Sequence, residues 1–264
     1  MSLFLFISGT QLDFNMKNFV KKRLYDGEVC YGTWISIGNP DIVEMMKGLP
    51  FSWFVFDTEH SYMSIETVKT MMQALGDNGP SPIVRIGQID QYLVKRALDI
   101  GSEGLLAPLV NSAEDAERLV KYSMYPPLGV RGAAPTRASR YGVNFSEYLR
   151  QVNNELLLGV QIETVEALSN LKEILETRHV DLAFVGPTDL TISLGLVDDR
   201  SNPKVIEAMK KVVKSCEDLG KIPGTMAVSV EEAKKFAELG FRFISLASDL
   251  RLLGMGAKAF LDTL

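Results

Sequence analysis

The 264-residue sequence predicts an α/β protein built as a single (β/α)8 barrel. Eight short apolar runs follow one another from residue 30 onward, and segments of helical period separate them. Apolar runs without polar alternation are typical of strands buried on both faces, and helical crossovers imply parallel pairing. Eight such units in about 230 residues match the length of one barrel. A doubly wound open sheet is the alternative fold.

The predicted elements follow in chain order. The strands are Cys30–Ile35, Trp53–Asp57, Ile83–Ile86, Gly104–Leu109, Leu156–Ile162, Leu182–Gly186, Ile222–Met226 and Phe241–Leu246. The helices cover 40–48, 64–76, 90–100, 112–121, 164–176, 203–219, 229–239 and 249–262. A lysine-rich amphipathic stretch, Met16–Tyr25, predicts an N-terminal helix before them. We therefore expect an N-terminal extension at 1–15, outside the fold, and a barrel domain at 16–264.

The connection between the fourth and fifth predicted strands is unlike the others. It is about 45 residues long and rich in Arg, Gly and Pro, and long ordered loops in compact domains are usually functional. A solvated excursion is the alternative. Arg137 and Arg140 of this loop are candidates for contact with a distal carboxylate of a substrate, with surface roles equally open.

Composition and charge exclude several classes of protein. The 28 Lys and Arg residues against 33 Asp and Glu leave a net charge of −5, and no basic patch suited to nucleic acid appears. No apolar run is long enough to span a membrane, and the N terminus makes a poor signal peptide, so we expect a cytoplasmic protein. With two histidines and two isolated cysteines, a metal would be held mainly by carboxylates, which favours magnesium or manganese.

Polar side chains terminate several of the apolar runs. Barrel active sites lie at the carboxyl ends of the strands, and burial of a polar group there is costly without a partner. The polar segments at these ends are Asp57-Thr58-Glu59-His60, Arg85, Gln161-Ile162-Glu163 and Gly186-Pro187-Thr188-Asp189. One histidine, one arginine and several carboxylates converging on one barrel mouth indicate a metal-assisted site.

Two of the carboxylates, Glu163 and Asp189, are the metal-ligand candidates. Two carboxylates leave positions of an octahedral ion open for water and a chelating substrate, as is usual for Mg²⁺ or Mn²⁺. An acidic residue at a strand end can instead cap the following helix, and this alternative is open for both.

Arg85, His60 and Asp57 are the catalytic candidates. The planar guanidinium of Arg85 suits a carboxylate or a developing enolate oxygen, although a structural ion pair with Asp57 or Glu59 is the alternative. His60 follows Asp57 by three residues. That spacing lets the carboxylate accept a hydrogen bond from one ring nitrogen, which raises the basicity of the other nitrogen. The second histidine, His179, precedes a strand, so we place it at the barrel floor without a catalytic role.

Taken together, these residues resemble the HpcH/HpaI family of class II, metal-dependent pyruvate aldolases. The resemblance runs in the family's order from about residue 30 to 250. It is carried by Gly32-Thr33-Trp34, Asp57-Thr58-Glu59-His60, Val84-Arg85, the stretch Ala97 to Gly104, Tyr125-Pro126-Pro127 through Arg131-Gly132, Gln161-Ile162-Glu163-Thr164 and Phe184 to Leu190.

The resemblance implies a barrel of the phosphoenolpyruvate/pyruvate type and a divalent metal ion, Mg²⁺, Mn²⁺ or Co²⁺, held by Glu163 and Asp189. It places the His60–Asp57 pair and Arg85 in catalysis. It also implies a trimer or hexamer of identical subunits whose C-terminal helix is exchanged between subunits. The residues expected to bind substrate are Arg85, Gln161, Gly186, Pro187, Thr188 and Met226.

The expected activity is that of a carbon–carbon lyase of aromatic-compound or sugar-acid catabolism. It would cleave or form 4-hydroxy-2-oxo acids, giving pyruvate and an aldehyde through a metal-stabilised enolate. The alternative is a decarboxylase or macrophomate-synthase-like enzyme that acts on oxaloacetate through the same enolate. A Schiff-base aldolase is disfavoured because no lysine falls at the carboxyl end of a predicted strand. A metabolite-binding barrel without catalysis is the reading from a different class.

Overall fold

A closed barrel of eight parallel strands forms the centre of the molecule. The computed structural model describes residues 18–197 and 199–264, so the predicted extension at 1–15 lies outside the described residues. Each strand pairs with the next and β8 pairs with β1, which confirms the single barrel and excludes the open sheet. The strands are β1 (Cys30–Ile35), β2 (Trp53–Asp57), β3 (Ser81–Arg85), β4 (Gly104–Ala107), β5 (Leu157–Ile162), β6 (Leu182–Val185), β7 (Ile222–Ala227) and β8 (Phe243–Ser248).

Helices surround the barrel and connect the strands. They are α1 (Phe19–Tyr25), α2 (Pro40–Met46), α3 (Ile65–Leu75), α4 (Gln91–Asp99), α5 (Ala113–Ser123), α6 (Phe145–Glu155), α7 (Val165–Ser169), α8 (Leu171–Glu176), α9 (Pro187–Ser193), α10 (Pro203–Leu219), α11 (Val230–Leu239) and α12 (Asp249–Leu261). The predicted helix at 164–176 is divided at Asn170, which ends α7 and begins α8. The long connection contains a 3₁₀ turn at Arg137–Gly142 and the unpredicted helix α6.

The last strand begins and ends two residues later than predicted. Phe241 is fully buried, as its apolar character suggests, but it lies in the turn before β8, where its ring packs edge-on against Phe236 at 5.7 Å. A buried turn residue cannot be distinguished from a strand residue by hydropathy alone.

Two apolar layers follow the two-residue period of the strands. Within β2, Trp53 and Val55 belong to a cluster inside the barrel, whereas Phe54 and Phe56 belong to the cluster between strands and helices. This alternation is that of a barrel whose interior is packed with side chains. Gly32 makes room for the inner layer, because a Cβ there would lie 2.0 Å from the Trp53 ring.

The N-terminal helix α1 closes the floor of the barrel. Its Val20 and Leu24 side chains join the inner cluster. The buried Asp181 carboxylate, before β6, accepts hydrogen bonds from Lys21 Nζ at 3.0 Å and from the Tyr25 hydroxyl at 2.7 Å. The predicted N-terminal helix is therefore present and is held to the barrel by both apolar and polar contacts.

The C-terminal helix α12 projects away from the barrel. Every residue from 250 to the C terminus is exposed, including the large apolar side chains Leu250, Leu253, Met255, Phe260 and Leu261. Among the described helices, none combines the length and the apolar character that a membrane crossing requires.

Candidate active site at the carboxyl ends of the strands

The inward-facing period of the strands delivers polar side chains to the barrel mouth. Asp57 follows Trp53 and Val55 on the inner face of β2, and Arg85 follows Ile83 on that of β3. Because β2 and β3 are in register at this point, with Asp57 paired to Arg85, the two side chains meet inside the mouth. The positions predicted from strand ends therefore come together in the structure.

Arg85 is held by two carboxylates and one aromatic ring. Its Nε and Nη2 donate to the two oxygens of Asp57 at 3.0 and 2.7 Å, and its Nη1 lies 3.0 Å from Glu59 Oε2. The guanidinium carbon lies 4.3 Å from the centroid of the Trp34 ring, a cation–π distance. The ion pair stated as the alternative for Arg85 is thus present, and it fixes the plane of the guanidinium at the mouth.

Asp57 is buried and ionised. Burial by itself raises the pKa of this carboxyl, but the hydrogen bonds and charge of Arg85 and two backbone N–H groups outweigh it and hold the pKa below its usual value. The N–H donors are those of Glu59 and His60, at 3.0 and 3.1 Å from Oδ1.

The orientation of His60 differs from the sequence expectation. Both carboxylate oxygens of Asp57 are directed to Arg85, and Asp57 meets His60 at its backbone N–H. The imidazole is 70% exposed, and its Nε2 lies 3.9 Å from Glu59 Oε1. Among the described residues, Glu59 is therefore the carboxylate that lies within 4 Å of the ring, because the two donors of Arg85 engage both oxygens of Asp57.

Glu163 lies just beyond β5, buried at the mouth. Its Oε1 accepts the backbone N–H of Leu109 at 2.8 Å, and its Oε2 accepts Gln161 Nε2 at 2.7 Å. Burial raises the pKa of Glu163, the N–H of Leu109 opposes this, and the charge of Asp189 raises it further. A nearby cation stabilises the ionised form of such a buried carboxyl group, because it compensates for the hydration that burial removes.

Glu163 and Asp189 converge on the backbone of Gly186. A Cβ added at Gly186 would lie 3.2 Å from Glu163 Oε2 and 3.5 Å from Asp189 Oδ2, so glycine keeps open the space that both oxygens face. Neither residue is a helix N-cap: Thr164 caps α7 with its side chain, and Gly186 is the N-cap of α9. The space and the hard oxygen donors fit a divalent ion such as Mg²⁺ or Mn²⁺.

The donor set at this position consists of two carboxylates. Within residues 18–197 and 199–264, no group of three or more His, Cys, Asp or Glu side chains is arranged to hold a metal ion. Two protein carboxylates would leave the remaining ligand positions to water and substrate, as in sites that bind Mg²⁺.

The expected substrate-binding residues line the same mouth. Gln161 is buried, and its Oε1 has no hydrogen-bond partner among the described residues. Met226 packs against the inner cluster near the end of β7, while Pro187 is buried and Thr188 is exposed in the first turn of α9. These residues lie at the same end of the barrel as Arg85 and Glu163.

The loop arginines lie at the opposite end of the barrel. Arg137 donates to the carbonyls of Ile100, the C-cap of α4, and of Met72, in the last turn of α3. Arg140 lies 3.7 Å from Asp77. Both line a floor cavity of about 800 Å³. Of the two roles left open for these arginines, their position favours the one away from the substrate, because the long connection folds toward the N-terminal ends of the strands.

Comparison with known proteins identifies the family. Residues 30–254 match the family described as HpcH/HpaI aldolase/citrate lyase. The chain belongs to this family. A curated relative from Salmonella dublin, named 4-hydroxy-2-oxo-heptane-1,7-dioate aldolase, is 36% identical over 246 residues, 92% of this chain and 93% of the relative. The relatives' names and the family confirm the predicted enzyme class, a carbon–carbon lyase.

Solved structures share the barrel. An HpcH/HpaI aldolase/citrate lyase family protein from Burkholderia cenocepacia J2315 superposes with a TM-score of 0.90 at 31% identity, covering 94% of this chain and 99% of that one. A structure of macrophomate synthase superposes with a TM-score of 0.80 at 24% identity, covering 92% and 88%, and at that identity it shows the fold alone.

Three residues at the mouth of this HpcH/HpaI family member are missing from the sequence-based site. They are Trp34 under Arg85, Leu109 at Glu163, and Asp249 at the loop after β1. Glu59, named from the sequence only as a possible ion-pair partner of Arg85, lies between Arg85 and His60. The inward period Cys30, Gly32, Trp34 could have indicated the first of the three. Leu109 acts through its backbone N–H, for which no side-chain pattern gives a signal.

Proposed function

We propose that this protein is a divalent-metal-dependent pyruvate aldolase that cleaves or forms 4-hydroxy-2-oxo acids. The observation that carries the proposal is the convergence of Glu163 Oε2 and Asp189 Oδ2 beside Gly186, in a mouth that also holds Arg85. Glu163 and Asp189 would hold Mg²⁺, Mn²⁺ or Co²⁺. The bound ion would act as a Lewis acid that polarises the keto group of pyruvate.

Arg85 would stabilise the negative charge that develops on the enolate oxygen. Its orientation is set before substrate arrives, by Asp57 and by the Trp34 ring, so little reorganisation accompanies the reaction. Backbone N–H groups between Gly186 and Asp189, with Pro187 and Thr188 beside them, would bind the substrate carboxylate. Gln161 would bind substrate through its unpartnered Oε1 or its amide group.

His60 would transfer the protons that the substrate gains or loses in the reaction, directly or through a water molecule. Its ring is exposed at the mouth, and Asp57 would position the loop that carries it by accepting its backbone N–H. Met226 would contact the aldehyde portion of the substrate, since it lies near the end of β7 on the inner face.

We also propose that the protein forms a trimer or hexamer in which α12 is exchanged between subunits. The support is the run of large apolar side chains that α12 exposes, since monomeric proteins rarely leave such surfaces uncovered.

Retro-aldol cleavage of 4-hydroxy-2-oxo-heptane-1,7-dioate, the substrate in the relatives' name, tests the function. Pyruvate is measured with Mg²⁺, Mn²⁺ or Co²⁺ added and with EDTA. Oxaloacetate decarboxylation is measured alongside, and a faster metal-dependent decarboxylation would favour the alternative reaction at the same site. Absence of turnover with every metal would contradict both.

A further inference from the structure

The buried carboxylate of Asp249 binds the loop that follows β1. It accepts the backbone N–H of Ser36 at 3.0 Å and that of Ile37 at 2.8 Å. Asp249 is the first residue of α12, yet that helix is already capped by Ser248, whose side chain accepts the N–H of Arg251. The Asp249 carboxylate also accepts the N–H of Leu250 in α12 at 2.8 Å, so it joins the first turn of that helix to the loop between β1 and α2. A carboxylate that accepts backbone N–H groups makes strong, charge-assisted bonds.

A β-bulge places Asp249 at this position. Gly32 pairs with Ser245, but Trp34 pairs with Ser248, so β8 carries one extra residue. Ala247 within the bulge has a φ of 57°, a left-handed conformation that is costly for a residue with a Cβ. An extra residue changes which side chains face each side of the strand, and bulges often re-aim a side chain near an active site.

Buried hydroxyl groups stabilise this conformation. Ser245 Oγ donates to the Ala247 carbonyl at 3.0 Å, and Thr33 Oγ1 lies 3.2 Å from the Leu246 carbonyl. Both hydroxyl side chains are fully buried. The left-handed backbone at Ala247 is thus stabilised by the hydroxyl groups of Ser245 and Thr33.

The loop held by Asp249 adjoins both parts of the proposed catalytic machinery. It begins at Ser36, two residues after Trp34, whose ring lies under the Arg85 guanidinium. It also contacts the loop that carries His60, because a Cβ at Gly38 would lie 3.1 Å from the Met63 side chain. A shift of this loop would therefore reach Arg85 and His60 together.

We infer that Asp249 is a positioning residue, which holds the β1–α2 loop in place. Through this loop it positions the Trp34 ring that packs against Arg85. The geometry of the active site then depends on the position of α12, the helix that carries Asp249. The inference rests on the proposed aldolase function. Because Arg85 would act on charge that develops in the transition state, loss of its positioning lowers kcat more than it changes KM.

The test compares Asp249→Ala and Asp249→Asn with Asp262→Asn, a control at the exposed end of the same helix. Hydrogen–deuterium exchange is measured at the amides of Ser36 and Ile37. Asp249→Ala should exchange there at least about tenfold faster, and Asp249→Asn, which keeps one acceptor oxygen, should be intermediate. The control should match the wild type.

Turnover is measured on the same proteins with Mg²⁺. Asp249→Ala should lower kcat about tenfold or more while KM changes less than about threefold, with Asp249→Asn between it and the wild type. Unchanged amide exchange in both variants, or faster exchange with unchanged kcat, overturns the inference. A wild-type protein without metal-dependent turnover, or without deuterium incorporation at C3 of pyruvate, instead refutes the proposed function, and the exchange data still decide whether Asp249 holds the loop.

Discussion

Arg85 and Asp57 form a two-point ion pair, with Nε 3.0 Å from Oδ1 and Nη2 2.7 Å from Oδ2. They are register partners on β2 and β3, so the backbone pairing of the barrel itself brings them together. The pair fixes the plane of the guanidinium, and the remaining nitrogen, Nη1, points toward Glu59. Four predictions follow from this site and from the helix beyond it.

Glu163→Gln should lose the metal-dependent activity while the fold remains. The amide keeps the shape of the side chain but removes the charge that a divalent cation requires, so we expect a loss of at least about 100-fold in kcat/KM. Turnover and the Kd for Mn²⁺ by calorimetry measure it, with circular dichroism as the check on folding. Glu166→Gln, at an exposed position of α7, is the matched control. Normal Mn²⁺ affinity in Glu163→Gln would refute the ligand assignment.

Arg85→Lys should also be inactive, although it keeps the positive charge. An ammonium group cannot donate in parallel to both oxygens of Asp57 and still meet Glu59, so its direction at the mouth is lost. We expect kcat/KM to fall at least about 100-fold. Arg118→Lys, in an exposed ion pair with Asp115, should be unchanged. Activity of Arg85→Lys within threefold of wild type would show that charge alone is sufficient.

The contribution of Asp57 to stability should depend on pH. Its pKa in the folded protein is lowered, so the stabilisation is present above the pKa of the unfolded chain, about 4, and is lost as pH falls through the folded value. Asp57→Asn should lower the free energy of unfolding by about 3 kcal/mol at pH 7, because it leaves the Arg85 charge buried without its partner.

Urea denaturation in EDTA at pH 7 and at a pH below 3, under the lowered pKa of the folded protein, measures this difference. The gap between wild type and Asp57→Asn should narrow at the lower pH. A gap that is the same at both pH values would mean that the Asp57–Arg85 pair does not stabilise the fold through its charge.

Replacing apolar side chains of α12 with charged ones should change the oligomeric state of the protein. Leu253→Asp together with Phe260→Asp should reduce the mass measured by light scattering to that of a smaller species, because burial of these side chains would then require burial of carboxylates. Val143→Asp, on an exposed position of the long connection, controls for added charge. A wild-type mass for the double variant would contradict the proposed exchange of α12.

Much of the barrel could be predicted from the residues. The bounds of β1, β2 and α10 agree with the predicted segments, because continuous apolar runs and a strong helical period mark them. Two of the errors fall where burial does not follow secondary structure: Phe241 is buried before its strand begins, and Asn170 divides a helix whose apolar period continues across it. Others are the unpredicted helix α6 and the two-residue differences at the start of β3 and the end of β4.

The candidate site was predictable to the extent that it consists of side chains at strand ends. Position along a strand places Asp57, Arg85 and Glu163 at the mouth, since the two-residue period and the direction of parallel strands are local properties. The partner that each group binds could not be predicted from its position along the strand. Whether Asp57 bonds His60 or Arg85 depends on which donor the neighbouring strand presents.

The fold class, the family resemblance and the set of polar residues at one barrel mouth could be predicted from the amino-acid sequence, because each follows from residue type and spacing. Three relationships required the three-dimensional structure: Asp57 binds Arg85, the long connection lies at the floor of the barrel, and Asp249 joins α12 to the loop after β1. Those relationships depend on register, a bulge and the direction of a loop, which arise from contacts between segments far apart in the chain.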